Sequence, residues 1–320
     1  MRHMMDRQAE ALRARAAAAG IGPAAHGAPS PVSATARLAR AIAVASGKGG
    51  VGKSTVALGI AMASGARGVR TVLVDADLGM ANADILAGVR ARHSVAEWLA
   101  GRVQLSDCMV RVAPRTWLLA GASGIARMAD LDAVHRARLL GGLARIASHV
   151  DRLVIDLGAG IGAGTLDLAC AADRVLVVTT PEPTSLADAY AFMKACARRG
   201  RREGWHCAAS MARGDDGARA CERLARTAER HLGVRPEFAG AVPDDDAVRS
   251  SVRASRPVLA AAPESAAARA IRGLEARLSG VDAAPVPGGV GFLARLAVRW
   301  GGSAAAAAAT VAAVGGSVHR

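Results

Sequence analysis

One stretch of the 320-residue chain concentrates the residues that could do chemistry: Gly47-Lys48-Gly49-Gly50-Val51-Gly52-Lys53-Ser54-Thr55. It satisfies the pattern G-x-x-x-x-G-K-[ST], with an apolar β-branched run before it and a helical run, Val56 to Ala63, after it. Glycines let the backbone wrap closely enough for successive N–H groups to point at phosphate oxygens, and the helix start adds the positive end of its dipole. In that frame Lys53 reaches the β- and γ-phosphates, the Ser54 hydroxyl ligates Mg²⁺, and Thr55 hydrogen-bonds a phosphate oxygen. Two other apolar runs end in carboxylates, Val72-Leu73-Val74-Asp75-Ala76-Asp77 and Leu153-Val154-Ile155-Asp156. Carboxylates at the C-terminal edge of a parallel sheet face such a loop. Asp156 is expected near the Mg²⁺ in its outer sphere, and Asp75 or Asp77 is a candidate to orient the attacking water, with Asp75 also a metal candidate. Gly158-Ala159-Gly160 makes the segment behind Asp156 able to follow a γ-phosphate.

These residues need a sheet to hold them. From Ala41 onward short β-branched runs alternate with helical stretches: Ile42 to Val44, Thr71 to Val74, Leu153 to Ile155, Val175 to Val178, and weaker runs at Cys207 to Met211 and Phe238 to Val242. Strands separated by helices imply right-handed βαβ units, hence a doubly wound α/β domain with a mostly parallel sheet covered on both faces. That domain is expected over residues 38–280. A short charged, Ala-rich helix (1–19) and a Gly/Pro linker (20–37) precede it. A second linker (281–290), an amphipathic helix (291–301) and a low-complexity Ala/Gly tail (302–320) follow.

Lys and Arg number 41 against 27 Asp and Glu, a formal charge of +14 that points to an anionic partner: nucleotide, nucleic acid or an acidic membrane surface. Only Lys48, Lys53 and Lys194 are lysines, so the Lys48/Lys53 pair in an arginine-rich chain marks a place where a compact ammonium is required. The five cysteines, Cys108, Cys170, Cys196, Cys207 and Cys221, form no C-x-x-C pair. Their spacing argues against a disulfide framework, a structural zinc and an iron–sulfur cluster, and leaves buried or incidental thiols. No apolar run is long enough to span a bilayer or to resemble a signal peptide, and a cytoplasmic protein is expected.

Lys48 directly after the first glycine resembles the deviant phosphate loop of the MinD/ParA ATPases, and the resemblance covers about residues 38–280. It implies ATP as substrate, Mg²⁺ as cofactor, and an ATP-bound homodimer in which Lys48 crosses to the partner's nucleotide. Asp75-Ala76-Asp77-Leu78-Gly79-Met80-Ala81-Asn82-Ala83-Asp84 matches that family's switch I, which implies that Asp77 positions the hydrolytic water and Asn82 lies near the γ-phosphate. Asp156-Leu157-Gly158-Ala159-Gly160 looks like switch II. Ser210 stands where the family usually has an adenine-reading Asn, and Pro243-Asp244-Asp245 resembles its other adenine-lining turn, which carries Pro243 and Asp245 over as nucleotide residues. Ala122-Ser123-Gly124, the Gly-Ala-Gly switch II and the run Val178-Thr179-Thr180-Pro181-Glu182-Pro183-Thr184-Ser185-Leu186-Ala187-Asp188-Ala189-Tyr190 are similar to the flagellar-number regulators (FlhG/FleN) within that family. In that run Ser185 or Thr184 is expected to cap the following helix.

The same resemblance assigns the two ends. Gln8-Ala9-Glu10-Ala11-Leu12-Arg13 is similar to the family's N-terminal helix that activates the signal-recognition-type GTPase FlhF, with Gln8, Leu12 and Arg13 as contact residues and Arg7 in place of the usual Asp. Flagellar switch proteins or a transcription regulator are further partners that it suggests. At the other end Phe292, Leu293, Leu296 and Trp300 share one face of a basic helix, which predicts reversible adsorption to anionic lipid on the inner face of the cell membrane in the ATP state. The Arg198-Arg199-Gly200-Arg201-Arg202 cluster supports a rival in which duplex DNA is the partner, as in ParA-type partitioning ATPases, but with no helix-turn-helix or stacking platform it is expected to be a solvated helix end; a septum-site MinD-like regulator is the other alternative.

Overall fold

The computed structural model describes residues 39–77, 82–119, 133–280 and 291–301. The expected N-terminal helix with Gln8, Leu12 and Arg13, both linkers, Ala122-Ser123-Gly124, Leu78 to Ala81 of switch I and the C-terminal tail lie outside the described residues.

Eight strands form one sheet: β1 (Arg40–Ala45), β2 (Thr71–Ala76), β3 (Met109–Ala113), β4 (Thr116–Leu119), β5 (Arg152–Leu157), β6 (Arg174–Thr179), β7 (Trp205–Ala212) and β8 (Glu237–Pro243). Their order across the sheet is β3-β4-β2-β5-β1-β6-β7-β8, and every pairing is parallel except β3 with β4. The six strands expected from the β-branched runs are all present. The β3–β4 hairpin went unread, because Arg111 and the Pro114-Arg115 turn break the apolar run, and β3 is only half-buried at the sheet edge.

The helices are α1 (Lys53–Ala66), α2 (Ala83–Ala87), α3 (Val95–Leu99), α4 (Ala133–His149), α5 (Ala163–Ala171), α6 (Pro183–Arg198), α7 (Asp216–Leu232), α8 (Asp246–Arg253), α9 (Val258–Ala261), α10 (Ala266–Gly280) and α11 (Phe292–Arg299). Side chains alternate across the strands, and both faces are apolar. Leu153, Ile155 and Leu157 of β5 join one core with α4, α5, α6, α7 and α11, while Val154 joins a second with α1 and α10. Burial of each such Leu or Ile contributes ~1.5–3 kcal/mol, so the central strands anchor whatever their ends carry.

Three local expectations are corrected. First, α11 exists, but its apolar face is not exposed: Phe292, Leu293 and Leu296 are buried against α5 and α4, and Trp300 is partly buried with its carbonyl accepting from Arg136 at 3.3 Å. The cause lies in α5, Ala-Gly-Thr-Leu-Asp-Leu-Ala-Cys-Ala, which is apolar nearly all round and needs cover on its outer side. Second, the arginine cluster is not one solvated patch. Arg201 is buried, donating to the carbonyls of Ala169 at 3.0 Å and Ala172 at 2.7 Å and stacking over Trp205. Third, neither Thr184 nor Ser185 caps α6. Glu182 is the N-cap residue with Pro183 in the first turn, and the Ser185 hydroxyl turns back to accept from the Thr180 N–H at 3.0 Å.

Candidate nucleotide site

The phosphate loop joins β1 to α1 at the C-terminal edge of the sheet. Gly52 stands before the first residue of α1 with φ +80, a left-handed conformation that glycine adopts without steric cost. Gly47 is required for a different reason: a Cβ there would lie 2.1 Å from the backbone carbon of Asp188. The segment Pro183 to Tyr190 is therefore a wall against which the loop is pressed, which accounts for its place in the sequence pattern without any catalytic group. Ser46 Oγ donates to the Lys48 carbonyl at 2.9 Å, and the Gly160 N–H donates to the Ser46 carbonyl at 3.2 Å, so switch II is tied to the root of the loop.

The expected chemistry converges. Asp75 and Asp156 stand side by side on β2 and β5 in direct register, both buried. Lys53 Nζ donates to Asp156 Oδ1 at 2.6 Å and to Ser54 Oγ at 3.3 Å, and Asp77 Oδ2 lies 4.0 Å from the same ammonium. Burial pushes the Asp156 carboxyl up, opposed by Lys53 and by the Ser54 hydroxyl. Burial and the neighbouring Asp156 push the Asp75 carboxyl up to about 6, against hydrogen bonds from the Ala83 and Asp77 N–H groups. Two adjacent buried carboxyls held by one ammonium form a site short of positive charge. A divalent cation supplies what is missing, so Ser54, Asp75 and Asp156 fit the Mg²⁺ role. Through its bond from Ala83, Asp75 also holds the start of α2. Asn82 precedes that helix and is exposed, with no capping bond from its side chain.

Lys48 points elsewhere. Its ammonium donates to Glu182 Oε2 at 2.7 Å on the surface of the loop, so within one copy the two lysines are held apart by different carboxylates.

A pocket beside the loop is lined by Gly52, Thr55, Ser210, Met211, Pro243 and Asp245, among others. It brings together Ser210, Pro243 and Asp245, three residues far apart in sequence. The Asp245 carboxylate is occupied with backbone, accepting from Ala267 N at 3.0 Å and from Ala247 N at 2.9 Å, which fixes the turn and holds its carboxyl pKa below the ordinary value. Asp244 is held low by Arg213 and Arg249 on the rim. Met211 and Arg249 were not singled out from sequence. Met211 has φ +55 and lies exposed at the mouth, and a positive φ at a non-glycine residue has no local sequence signal.

A left-handed glycine before a helix that begins Lys-Ser-Thr, with strand-end carboxylates facing it across a mostly parallel sheet, defines a P-loop nucleoside triphosphatase. A family model described as ParA, NUBPL iron-transfer P-loop NTPase, matches residues 37–202. The antiactivator FleN of Pseudomonas aeruginosa is 35% identical over 247 residues, 77% of this chain and 87% of that protein. The flagellum site-determining protein YlxH of Helicobacter pylori is 31% identical, over 66% of this chain and 72% of its own. Among solved structures, the cell-division ATPase MinD of Pyrococcus furiosus aligns with a TM-score of 0.61 at 26% identity, covering 76% of this chain and 100% of its own. The MinD of Pyrococcus horikoshii, complexed with Mg-ADP, gives 0.62 at 23% identity, covering 77% of this chain and 98% of its own. The chain belongs to the ParA/MinD family of P-loop ATPases.

Proposed function

We propose that this protein is an ATP-driven dimeric switch that regulates the number or placement of flagella. The observation that carries the reading is the pair of lysines. Lys53 is buried in the Mg²⁺ and phosphate site, while Lys48 lies on the surface, free to leave Glu182 for a nucleotide held by a second copy. ATP binding draws Lys53 from Asp156 to the phosphate oxygens, and Ser54, Asp75 and Asp156 then hold Mg²⁺, which supplies charge neutralisation of the phosphates. Asp77, partly exposed and beside Lys53, orients the attacking water. Ser210, Pro243 and Asp245 line the base pocket. Two nucleotides then face one another across a symmetric interface, and hydrolysis releases it.

Likeness to FleN and YlxH over most of the chain supports the flagellar role, and the name antiactivator makes a transcription regulator one target class. The GTPase FlhF is the partner proposed for Gln8, Leu12 and Arg13. The protein then cycles between the cytoplasm and the anionic inner face of the cell membrane. For that, α11 has to leave α5 and turn Phe292, Leu293, Leu296 and Trp300 outward; one copy binds weakly, and the dimer presents two. No helix among the described residues is long and apolar enough to cross a membrane. The DNA rival loses ground because Arg201 is buried under carbonyl acceptors.

Sedimentation with anionic liposomes, with and without ATP, with duplex DNA as competitor and a chain ending at Gly289 as control, tests this. ATP-dependent pelleting that truncation removes is the expected result. Capture by DNA with no lipid binding moves the protein to the partitioning branch.

A further inference from the structure

Beneath α11 lies a cluster that the nucleotide reading does not use. Cys170 on α5 and Cys196 on α6 are both buried, Cys170 Sγ lies 3.7 Å from the Cys196 carbonyl oxygen, and the two thiols share a hydrogen bond. Four guanidiniums converge on the same segment. Arg201 donates to the carbonyls of Ala169 and Ala172 on either side of Cys170. Arg199 pairs with Asp167 at 2.6 Å and Arg299 of α11 donates to the Arg199 carbonyl, while Arg295 of α11 donates to the Ala171 carbonyl and pairs with Asp173. Asp167 and Asp173 are the facing carboxylates, so the surroundings of Cys170 carry an excess of positive charge.

A second thiol pair serves as an internal reference. Cys207 on β7 and Cys221 on α7 are equally buried, but Glu222, Glu237 and Arg235 line the cavity beside them, so carboxylates outnumber guanidiniums there; the bond with Cys221, burial and Glu222 push the Cys207 thiol up. Around Cys170 the charge balance is the opposite, four guanidiniums against two carboxylates; the bond shared with Cys196, together with Arg299, Arg201 and Arg199, lowers the Cys170 thiol, while that same bond and burial raise Cys196. Thiolate, not thiol, is the nucleophile, and an excess of guanidiniums favours it, so the charge around the Cys170–Cys196 pair is what sets it apart from the second pair.

We propose that Cys170 and Cys196 form a redox-reactive dithiol, closed to a disulfide by hydroperoxides that reach it when α11 opens locally. The Cys170 thiolate attacks one peroxide oxygen, the O–O bond breaks, and the departing oxygen leaves as water after protonation, giving a sulfenic acid. Cys196 sulfur then attacks the Cys170 sulfur and expels a second water. Two thiols are oxidised by two electrons, one hydrogen peroxide is reduced, and two waters form. Access is controlled by α11, whose Leu296 is fully buried against the cluster's surroundings.

The full chain is treated with hydrogen peroxide, quenched by alkylation in denaturant and mapped by peptide mass spectrometry. The expected product is a Cys170–Cys196 linked peptide, two mass units lighter than the reduced pair, formed while Cys207 and Cys221 remain alkylatable. In Cys196→Ser a sulfenic acid on Cys170 is expected to be trapped by a cyclic diketone. Leu296→Glu, which lifts α11, is expected to raise the closure rate about tenfold or more. Arg199→Gln, which removes a guanidinium near Cys170 but keeps the backbone carbonyl that holds Arg299 of α11, is expected to slow it severalfold, which keeps the test intact if Leu296→Glu fails to fold. Closure of Cys207–Cys221 at the same rate, or a Cys170–Cys196 rate unmoved by Arg199→Gln, overturns the proposal.

Discussion

Strand β5 buries an ion pair at each end, and the two differ in how completely they are satisfied. At its start Arg152 pairs with Glu275 of α10 at 2.7 Å and donates to Ser64 of α1 at 2.7 Å, and Glu275 also accepts from Ser64, Ser279 and Arg67. At its end Asp156 pairs with Lys53 at 2.6 Å, and its buried neighbour Asp75, among the described residues, accepts from two backbone N–H groups, shares the charge of the same Lys53 and has an unfavourable carboxyl beside it. Both sites remove charge from water, which is costly unless every group is paired. The first is closed by five polar partners and acts as a clasp between α1, β5 and α10. The second is left short of positive charge and open to rearrangement, as expected of a site completed by a cation and a polyphosphate. A saturated network is what a fold needs, and an unsaturated one beside it is what a switch needs.

Substitutions at the two ends break this comparison in opposite ways. Lys53→Ala is expected to abolish ATP-dependent dimerisation and turnover and to erase the rise in melting temperature that Mg-ATP causes in the parent chain; dimerisation that persists in sedimentation velocity contradicts the role given to Lys53. Glu275→Ala removes the carboxylate that faces the buried Arg152 and is expected to cost about 3–5 kcal/mol in denaturant unfolding, while the increment from Mg-ATP stays. If that variant unfolds at the parent's midpoint, the clasp is not a stability element. His206 on β7 provides a third buried group of intermediate weight. Burial holds its imidazole down to about 4 despite Glu237 Oε2 at 3.6 Å, since that carboxylate is largely in water. The unfolded chain binds the proton near 6.5, so this stability is present above pH 6.5 and is lost as pH falls toward 4, by about 3 kcal/mol. His206→Leu is expected to flatten that portion of the stability profile measured by urea unfolding. Glu182→Ala has the smallest expected effect: the exposed pair with Lys48 contributes ~0–1 kcal/mol, so its loss should favour the ATP dimer by no more than about fivefold for each of the two subunits. A weaker dimer in that variant means that Glu182 is part of the interface and not a resting place for Lys48.

How legible each region was follows from the range of the interactions that make it. The phosphate loop, both strand-end carboxylates and six strands are local patterns: glycines where the chain must turn left-handed or approach another backbone, apolar runs where it is covered on both faces. The β3–β4 hairpin escaped because its half-buried edge has no such run. The lining of the pocket beside the loop was legible in part, through Ser210, Pro243 and Asp245, whereas Met211 and Arg249 belong to it only by the meeting of β7, β8 and α8. The face of α11 was read as an amphipathic stripe, which it is; that α5 covers it depends on an apolar helix more than 120 positions away.

The sequence by itself determined that this chain carries a phosphate loop with two lysines, and on what kind of sheet, because those properties rest on residue types at fixed short spacings. Only the tertiary structure decided which charges are closed off and which remain available. Arg152 and Asp156 lie four residues apart on one strand, and nothing in their spacing tells the clasp from the switch. The difference comes from what α10 brings to one end of β5 and what the end of β2 brings to the other, since burial and partners, not identity, fix the state of a charged group.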